Sequence, residues 1–108
     1  MHALLVTHRT KAGQRDAVEA IWRQYMRAAV AENTGHLLYA YNFGTDPDVI
    51  AAFQIFASQE DAAAFLRTPG YAAYLAESRD LLAAPPDIRP LIPRWIKAGG
   101  DLTDLVAP

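Results

Sequence analysis

Three histidines could move a proton near neutral pH in this chain: His2, His8 and His36. His8 ends a short apolar run and His36 begins an alternating one, so both are candidates for a general base. A surface histidine with no task is the simpler interpretation of either residue. The spacing of the three matches no metal-binding motif and no carboxylate accompanies them, so we predict no metal site.

Aromatic and amide side chains could build a pocket for a small ring. A buried amide has to be hydrogen-bonded, so an amide on a pocket wall could orient a bound ring, although pairing with nearby backbone is an equal alternative. A regular aromatic stripe is, in the simpler interpretation, ordinary core. The candidates for substrate binding are Trp22, Tyr39, Phe56, Phe65 and Tyr71 for the walls, with the amides Asn42 and Gln54.

Composition limits the classes of protein that this chain can belong to. Its 108 residues include no cysteine, which removes thiolate chemistry and fits a reducing cytoplasm. A formal net charge of -2 argues against nucleic acid or an anionic membrane as a partner, and no stretch approaches the apolar length of a membrane span. We therefore predict one cytoplasmic domain at residues 1–98, followed by a tail at 99–108 that begins with two glycines.

The first elements that must position these residues are a strand and a helix. Residues 3–8, ALLVTH, form a short apolar run rich in branched side chains, which predicts a strand. From Gln14 the apolar residues recur at three- and four-residue steps, which predicts one amphipathic helix. Asn33 and Gly35 tolerate the conformation that ends helices, so this helix should stop near ENTG.

A hairpin should follow the helix. Residues 36–43, HLLYAYNF, alternate, which places Tyr39 on one face of a strand and His36 and Asn42 on the other. The sequence GTDPD is typical of a turn, and residues 49–57, VIAAFQIFA, are typical of a strand that pairs back on the previous one.

The last third predicts a divided helix and an edge strand. Ser58 resembles the first residue of a capping box, and Thr68-Pro69 supplies a second helix start. Residues 88–96, IRPLIPRWI, are extended, and Pro90 and Pro93 each lack a hydrogen-bond donor, which favours an edge strand or a bulge.

The order β-α-β-β-α-β predicts a ferredoxin-like α+β domain, with a four-stranded antiparallel sheet and both helices on one face. The strands are nevertheless apolar on both sides, as Leu4 and Leu5 show in the first strand and Phe53 and Phe56 in the third. An exposed apolar sheet face favours association, so we predict a homodimer that covers it.

Three segments, KAG at 11–13, NTGHLLYAY at 33–41 and FQIFASQEDAAAFLRTPGYAAY at 53–74, resemble the antibiotic biosynthesis monooxygenase family. This family consists of dimeric α+β barrel proteins and includes quinol monooxygenases, and the resemblance covers roughly residues 2–95. It implies an oxygenase that needs no metal or flavin and acts on a small phenol or quinol, because such a substrate can itself give electrons to dioxygen. The protein then has to bind the ring, favour the phenolate and exclude water.

The chain departs from this family at three positions. Gln54 and Phe56 stand where members commonly carry glutamate and tryptophan, and Phe65 stands where many carry a histidine on the second helix. Glutamine is no general base near neutral pH, and phenylalanine cannot ligate the iron of the haem-degrading branch. The resemblance therefore implies a cofactor-free monooxygenase whose proton transfer falls to His8 or His36. The alternatives are a non-catalytic binder of small ligands on the same fold, and a non-redox isomerase or lyase.

Overall fold

The structure is a computed structural model that describes residues 1–97 of the chain. The predicted domain boundary at residue 98 and the tail at 99–108 lie outside the described residues. The elements follow the predicted β-α-β-β-α-β order, with each predicted helix divided into two. They are β1 (His2–Arg9), α1 (Arg15–Tyr25), α2 (Arg27–Glu32), β2 (His36–Phe43), β3 (Val49–Phe56), α3 (Gln59–Phe65), α4 (Pro69–Ser78), a 3₁₀ turn (Arg79–Leu81) and β4 (Asp87–Leu91).

The four strands form one antiparallel sheet in the order β2-β3-β1-β4. This order confirms the predicted ferredoxin-like α+β fold. β4 lies at the edge of the sheet, where Pro90 pairs with Leu4. A proline is tolerated at that place because an edge strand need not donate every hydrogen bond.

The helices pack on one side of the sheet, which we term the helix-side face. Alternate residues of β1, β2 and β3 point to it and join or pack against the buried core with residues of the helices. The other side, which we term the open face, carries the intervening residues. The helix-side face includes Leu4, Val6 and His8 of β1, Tyr39 and Tyr41 of β2, and Ile50, Ala52, Gln54 and Phe56 of β3; the open face includes Ala3, Leu38, Asn42, Phe53 and Ile55.

A β-bulge between His36 and Leu38 changes the face to which His36 belongs. His36 pairs with Phe56, whereas Leu38 pairs with Ile55, so two residues of β2 span one step of β3. The His36 ring therefore packs against Phe65 of α3 on the helix-side face. Simple alternation placed His36 with Asn42, and that prediction is wrong because the extra residue reverses the alternation.

The first predicted helix is interrupted at Met26, so the prediction of one continuous helix is wrong at this point. The interruption coincides with a close approach of α4. A Cβ atom placed on Gly70 would lie 3.0 Å from the carbonyl oxygen of Tyr25. The glycine thus allows the start of α4 to pack against the end of α1.

Both predicted helix starts in the last third are confirmed. The Ser58 hydroxyl accepts a hydrogen bond from the Asp61 backbone N–H at 3.1 Å, and the Thr68 hydroxyl accepts one from the Tyr71 backbone N–H at 3.4 Å.

Within residues 1–97, no helix has the length and apolar character that a membrane crossing requires.

Arg15, at the start of α1, fixes the β2–β3 hairpin against the helix. Its Nη1 atom donates to the backbone oxygens of Gly44 at 2.9 Å, Asp46 at 3.0 Å and Val49 at 3.3 Å. Its guanidinium also lies 4.0 Å from the centre of the Phe43 ring. A charged donor shared by several carbonyls in this way stabilises a turn more than a neutral bond would.

Replacing Arg15 with alanine should lower the free energy of unfolding by about 1–3 kcal/mol, because the turn carbonyls lose a charged donor. Denaturant unfolding measures this directly. Arg27→Ala, at an exposed position of α2, is the matched control and should change stability by no more than about 0.5 kcal/mol. Equal effects of the two changes would contradict the role given to Arg15.

Candidate functional site

A small cavity lies between the helix-side face of the sheet and helices α1 and α4. Its volume is about 10 Å³, which is room for about one water molecule. Its walls are mostly aromatic, and we term it the helix-side cavity. The lining residues are Val6, His8, Trp22, Met26, Tyr39, Tyr41, Ala52, Gln54, Tyr71 and Tyr74.

Four polar atoms of this lining have no hydrogen-bond partner among the described residues. They are the hydroxyls of Tyr41, Tyr71 and Tyr74 and the Nδ1 atom of His8, and we term these four residues the polar cluster. The Tyr74 ring lies 5.7 Å from the His8 ring in an edge-to-face arrangement. Buried polar groups are normally hydrogen-bonded, so four such atoms around one cavity mark it as the candidate site.

Burial keeps every member of the polar cluster uncharged. Burial raises the pKa of Tyr41, Tyr71 and Tyr74, so their hydroxyls stay protonated and can donate hydrogen bonds. Burial also lowers the pKa of His8 to about 4, so its imidazole is neutral near pH 7. Tyr39 behaves in the same way, because burial raises its pKa to about 12.

Trp22 of α1 closes the side of the cavity next to β2. Its ring stacks on Tyr41 with 4.1 Å between ring centres and on Tyr39 with 6.0 Å. Its indole N–H donates to the Tyr39 hydroxyl at 3.0 Å. Trp22 is partly exposed, whereas His8 and Tyr74 are buried, so solvent reaches the Trp22 part of the cavity wall.

His36 is held in a chain of hydrogen bonds that ends at the cavity wall. The Asn33 amide donates to His36 Nδ1 at 2.8 Å, and His36 Nε2 donates to the Gln54 side-chain oxygen at 2.8 Å. This arrangement fixes a neutral tautomer whose lone pair is already engaged. Burial lowers the pKa of His36, while the Gln54 hydrogen bond opposes that shift. His36 therefore acts on the cavity by positioning Gln54.

Five of the nine predicted site residues line the cavity: His8, Trp22, Tyr39, Gln54 and Tyr71. Three others lie together on the same face as an adjoining aromatic group. In it the His36 ring lies 4.2 Å from Phe56 and 4.6 Å from Phe65. An imidazole thus lies beside Phe65, supplied by β2 instead of the second helix.

Asn42 lies apart from the other predicted residues. It is exposed on the open face, where its amide donates to the backbone oxygens of Ala40 at 3.1 Å and Ala51 at 2.9 Å. These bonds link β2 to β3. The backbone pairing that the sequence left open as an alternative is the one that the structure contains, and the amide is directed away from the helix-side cavity.

Two members of the polar cluster, Tyr41 and Tyr74, were not predicted as site residues. Sequence signals for both exist: Tyr41 follows Tyr39 by two residues on a strand, and Tyr74 follows Tyr71 by three on a helix. Each spacing places the second tyrosine on the face of the first. The spacing does not predict that their hydroxyls lack hydrogen-bond partners among the described residues.

A larger groove lies on the open face of the sheet. Its volume is about 450 Å³, and it is lined by residues with aliphatic or aromatic side chains. The segment after β4 forms part of it, with Ile92 79% exposed and Trp95 82% exposed. We term it the open-face groove; it is lined by Ala3, Leu38, Phe53, Ile55, Leu91, Ile92, Pro93, Trp95 and Ile96. The predicted apolar character of both sheet faces is thereby confirmed.

No cluster of three or more histidine, cysteine, aspartate or glutamate side chains that could hold a metal ion occurs within residues 1–97. The three histidines accordingly do not form one site. His2 and His36 pair with Phe56 from opposite sides, whereas His8 pairs with Ile50 near the other end of β1.

The sheet order, the helix-side cavity and its aromatic lining define a small ferredoxin-like α+β protein with an enclosed site. A model of the antibiotic biosynthesis monooxygenase family matches residues 1–77. The chain belongs to this family. No curated protein matched the sequence.

Solved structures agree with this assignment. A protein from Nitrosomonas europaea, provisionally named as an antibiotic biosynthesis monooxygenase, matches with a TM-score of 0.80 and 18% identity over 88% of this chain and 100% of that one. A provisionally named monooxygenase of the same family from Chloroflexus aurantiacus matches with a TM-score of 0.73 and 27% identity, over 90% and 96%. A Nitrosomonas europaea protein of unknown function, NE2512, also matches at 27% identity with a TM-score of 0.73, over 91% and 95%.

The burial of His8 should make stability depend on pH. Its pKa falls from 6.5 to about 4 on folding, so between these values the unfolded chain binds a proton that the folded chain does not. Stability is therefore full above pH 6.5 and should decrease by roughly 2–3 kcal/mol as the pH falls to about 4. Urea unfolding across this range measures the slope, and His8→Gln should flatten it.

His36→Gln is the comparison variant for this measurement. It should change the slope less, because the Gln54 hydrogen bond opposes the effect of burial on the His36 pKa. An unchanged slope in His8→Gln would show that His8 is not desolvated as described.

Proposed function

We propose that this protein is a monooxygenase that oxidises a small phenol or quinol in the helix-side cavity without a metal or flavin. The observation that carries the proposal is an aromatic cavity in which a neutral imidazole and three tyrosine hydroxyls lack partners among the described residues. Membership of the family supports oxygenation as the reaction. The aromatic walls suit a ring, and the polar cluster suits its oxygen atom.

The reaction that fits this site needs no outside reductant. A phenol and dioxygen give a quinone and water: one oxygen atom enters the ring, the other leaves as water, and the ring supplies all the electrons. The protein has to remove the phenol proton and exclude solvent while the carbanion-like ring meets dioxygen. Both tasks need only positioned side chains.

His8 is the proposed proton acceptor. His8 lines the cavity and its buried Nδ1 atom has no partner among residues 1–97, whereas the lone pair of His36 is already engaged by Asn33. Burial makes an isolated imidazolium unfavourable at His8. A phenolate formed beside it supplies the opposite charge, so proton transfer is favoured only when the substrate is bound.

Substrate has to displace part of the cavity wall, because a ring needs far more than the present 10 Å³. Trp22 is the proposed movable side chain, since it is partly exposed and is held by one hydrogen bond to Tyr39. Breaking that bond costs about 0.5–1.5 kcal/mol, which binding of an aromatic ring can offset.

A second candidate function is non-catalytic binding of a small aromatic molecule in the same cavity. It is favoured by the state of His36 and Gln54: the first has no free lone pair, and the second cannot act as a base. The choice between enzyme and binding protein then depends on whether His8 accepts a proton from the ligand. A cytoplasmic location remains a separate prediction that rests on the absence of cysteine.

We further propose that a second copy of the chain covers the open-face groove. Its lining is apolar, and its exposed residues lie on both the sheet and the segment after β4. A homodimer formed about a two-fold axis would bring two such faces together, so each copy would bury the apolar surface of the other. The predicted dimeric α+β barrel has this arrangement.

Oxygen uptake tests the enzymatic proposal. With a panel of phenols and quinols, the protein should consume dioxygen faster than buffer alone, and no product should form anaerobically. His8→Gln should lower kcat by about 100-fold or more, because the proton acceptor is lost. His2→Gln, at the start of β1 and outside the cavity lining, is the control and should retain activity.

Two results would contradict the enzymatic proposal. Uptake at the buffer rate across the whole panel would favour the binding function, provided that a ligand saturates the protein. Full activity in His8→Gln would remove the proposed proton acceptor.

Equilibrium sedimentation tests the homodimer. The protein should be dimeric at micromolar concentration. The double variant Ile92→Gln with Trp95→Gln should raise the dimer dissociation constant by about tenfold or more, because both native side chains supply exposed apolar surface to the groove. Leu37→Gln is the control, since Leu37 is an exposed apolar residue outside the groove. A native protein that is monomeric throughout this range would end the proposal.

A further inference from the structure

We infer that the hydroxyls of Tyr41, Tyr71 and Tyr74, together with His8 Nδ1, bind the oxygen-bearing end of an uncharged hydroxyaromatic ligand. The inference rests on the proposed function in one respect, which is that the helix-side cavity is the ligand site. It adds which side chains recognise the ligand and which class of ligand they reject.

The burial of the polar cluster is the first reason. Tyr74 is 1% exposed, His8 4% and Tyr71 7%, and the Tyr41 hydroxyl is also buried. None of the four polar atoms has a hydrogen-bond partner within residues 1–97. A buried hydroxyl without a partner destabilises a protein, and phenylalanine would avoid that penalty with almost the same shape. Three tyrosines around one cavity therefore point to a ligand that satisfies them.

The cluster can satisfy one kind of ligand atom especially well. Each tyrosine hydroxyl can both donate and accept a hydrogen bond, and a phenol hydroxyl can likewise donate one hydrogen bond and accept others through its lone pairs. The raised pKa values of the tyrosines keep their protons in place as donors. The Tyr41 ring, which Trp22 now covers with ring centres 4.1 Å apart, provides an aromatic surface for the attached ring once Trp22 has moved.

The same site should reject an anion such as a carboxylate. No lysine or arginine lines the cavity within the described residues, and the imidazole of His8 is neutral. The charged groups near Tyr41 are Glu19 and Arg23, which lie 3.7 Å apart as an ion pair on α1 and do not line the cavity. A carboxylate in this cavity would be buried without a counter-charge, which is strongly unfavourable.

Three probes of similar shape separate these contributions: 4-cyanophenol, benzonitrile and 4-cyanobenzoate. Binding is measured by calorimetry in anaerobic buffer, at a pH where the phenol is uncharged. We expect 4-cyanophenol to bind at least about tenfold more tightly than benzonitrile, because only the phenol satisfies the buried hydroxyls. We expect no binding of 4-cyanobenzoate.

Tyrosine-to-phenylalanine variants test the residues. Tyr71→Phe and Tyr74→Phe should each weaken binding of 4-cyanophenol by about fivefold or more, leave benzonitrile unaffected, and leave the ligand-free protein as stable as before or more stable. Tyr25→Phe is the matched control. Its hydroxyl donates to Glu77 at 2.6 Å, outside the cavity, so its loss should leave the preference for the phenol unchanged.

Three outcomes would overturn the inference. The first is equal binding of 4-cyanophenol and benzonitrile, or no binding of either. The second is unchanged binding of 4-cyanophenol in Tyr71→Phe and Tyr74→Phe. The third is a loss of stability in both ligand-free variants, which would show that an internal water alone satisfies the hydroxyls.

The oxygen-uptake assay keeps the two proposals distinguishable. Phenol preference without oxygen uptake refutes the monooxygenase, whereas uptake that is unaffected by both variants refutes the role of the polar cluster.

Discussion

The structure depends on one constraint: a four-stranded sheet has two faces, and residues 1–97 supply helices for only one of them. The helix-side face is desolvated within the subunit, and burial there shifts the pKa of His8 downward and those of the tyrosines upward. The open face keeps its apolar residues next to solvent and contains the larger groove. The two faces therefore differ in character: an enclosed polar-aromatic cavity lies on one side, and exposed apolar surface lies on the other.

The polar side chains around the helix-side cavity are uncharged near pH 7. Tyrosine, histidine and glutamine line the cavity, and within residues 1–97 no aspartate, glutamate, lysine or arginine lines it. Such a site has no charge to attract an ion from solution; under the function proposed above, it would hold a neutral molecule and create charge only after binding. Because water is largely absent, hydrogen bonds to a developing oxyanion would be stronger than in solution. The cost is a set of buried polar atoms that need a partner from outside the described side chains, because a buried polar group without one weakens the folded state.

Much of the fold follows from the sequence alone. Apolar periodicity, the residues at the helix starts and the prolines of the last strand gave the element order and the sheet, because each is a local signal with one dominant physical cause. The candidate site was less accessible. His8, Gln54 and Tyr71 could be placed by alternation, yet the face of His36 could not, since a bulge depends on pairing between strands. The small volume of the cavity and the missing partners of Tyr41 and Tyr74 depend on how helices pack, and no local pattern encodes that distance.

The bulge at Leu37 has an evolutionary consequence. With this extra residue in β2, His36 lies opposite Phe56 on the helix-side face although it is three positions from Tyr39. If the strand kept all its residues but paired without the bulge, Leu37 would lie opposite Phe56 and the His36 imidazole would turn to the open face. Deletion of Leu37 would instead leave His36 opposite Phe56, so descendants of this protein could lose that codon and still keep the hydrogen-bonded link from Asn33 to Gln54.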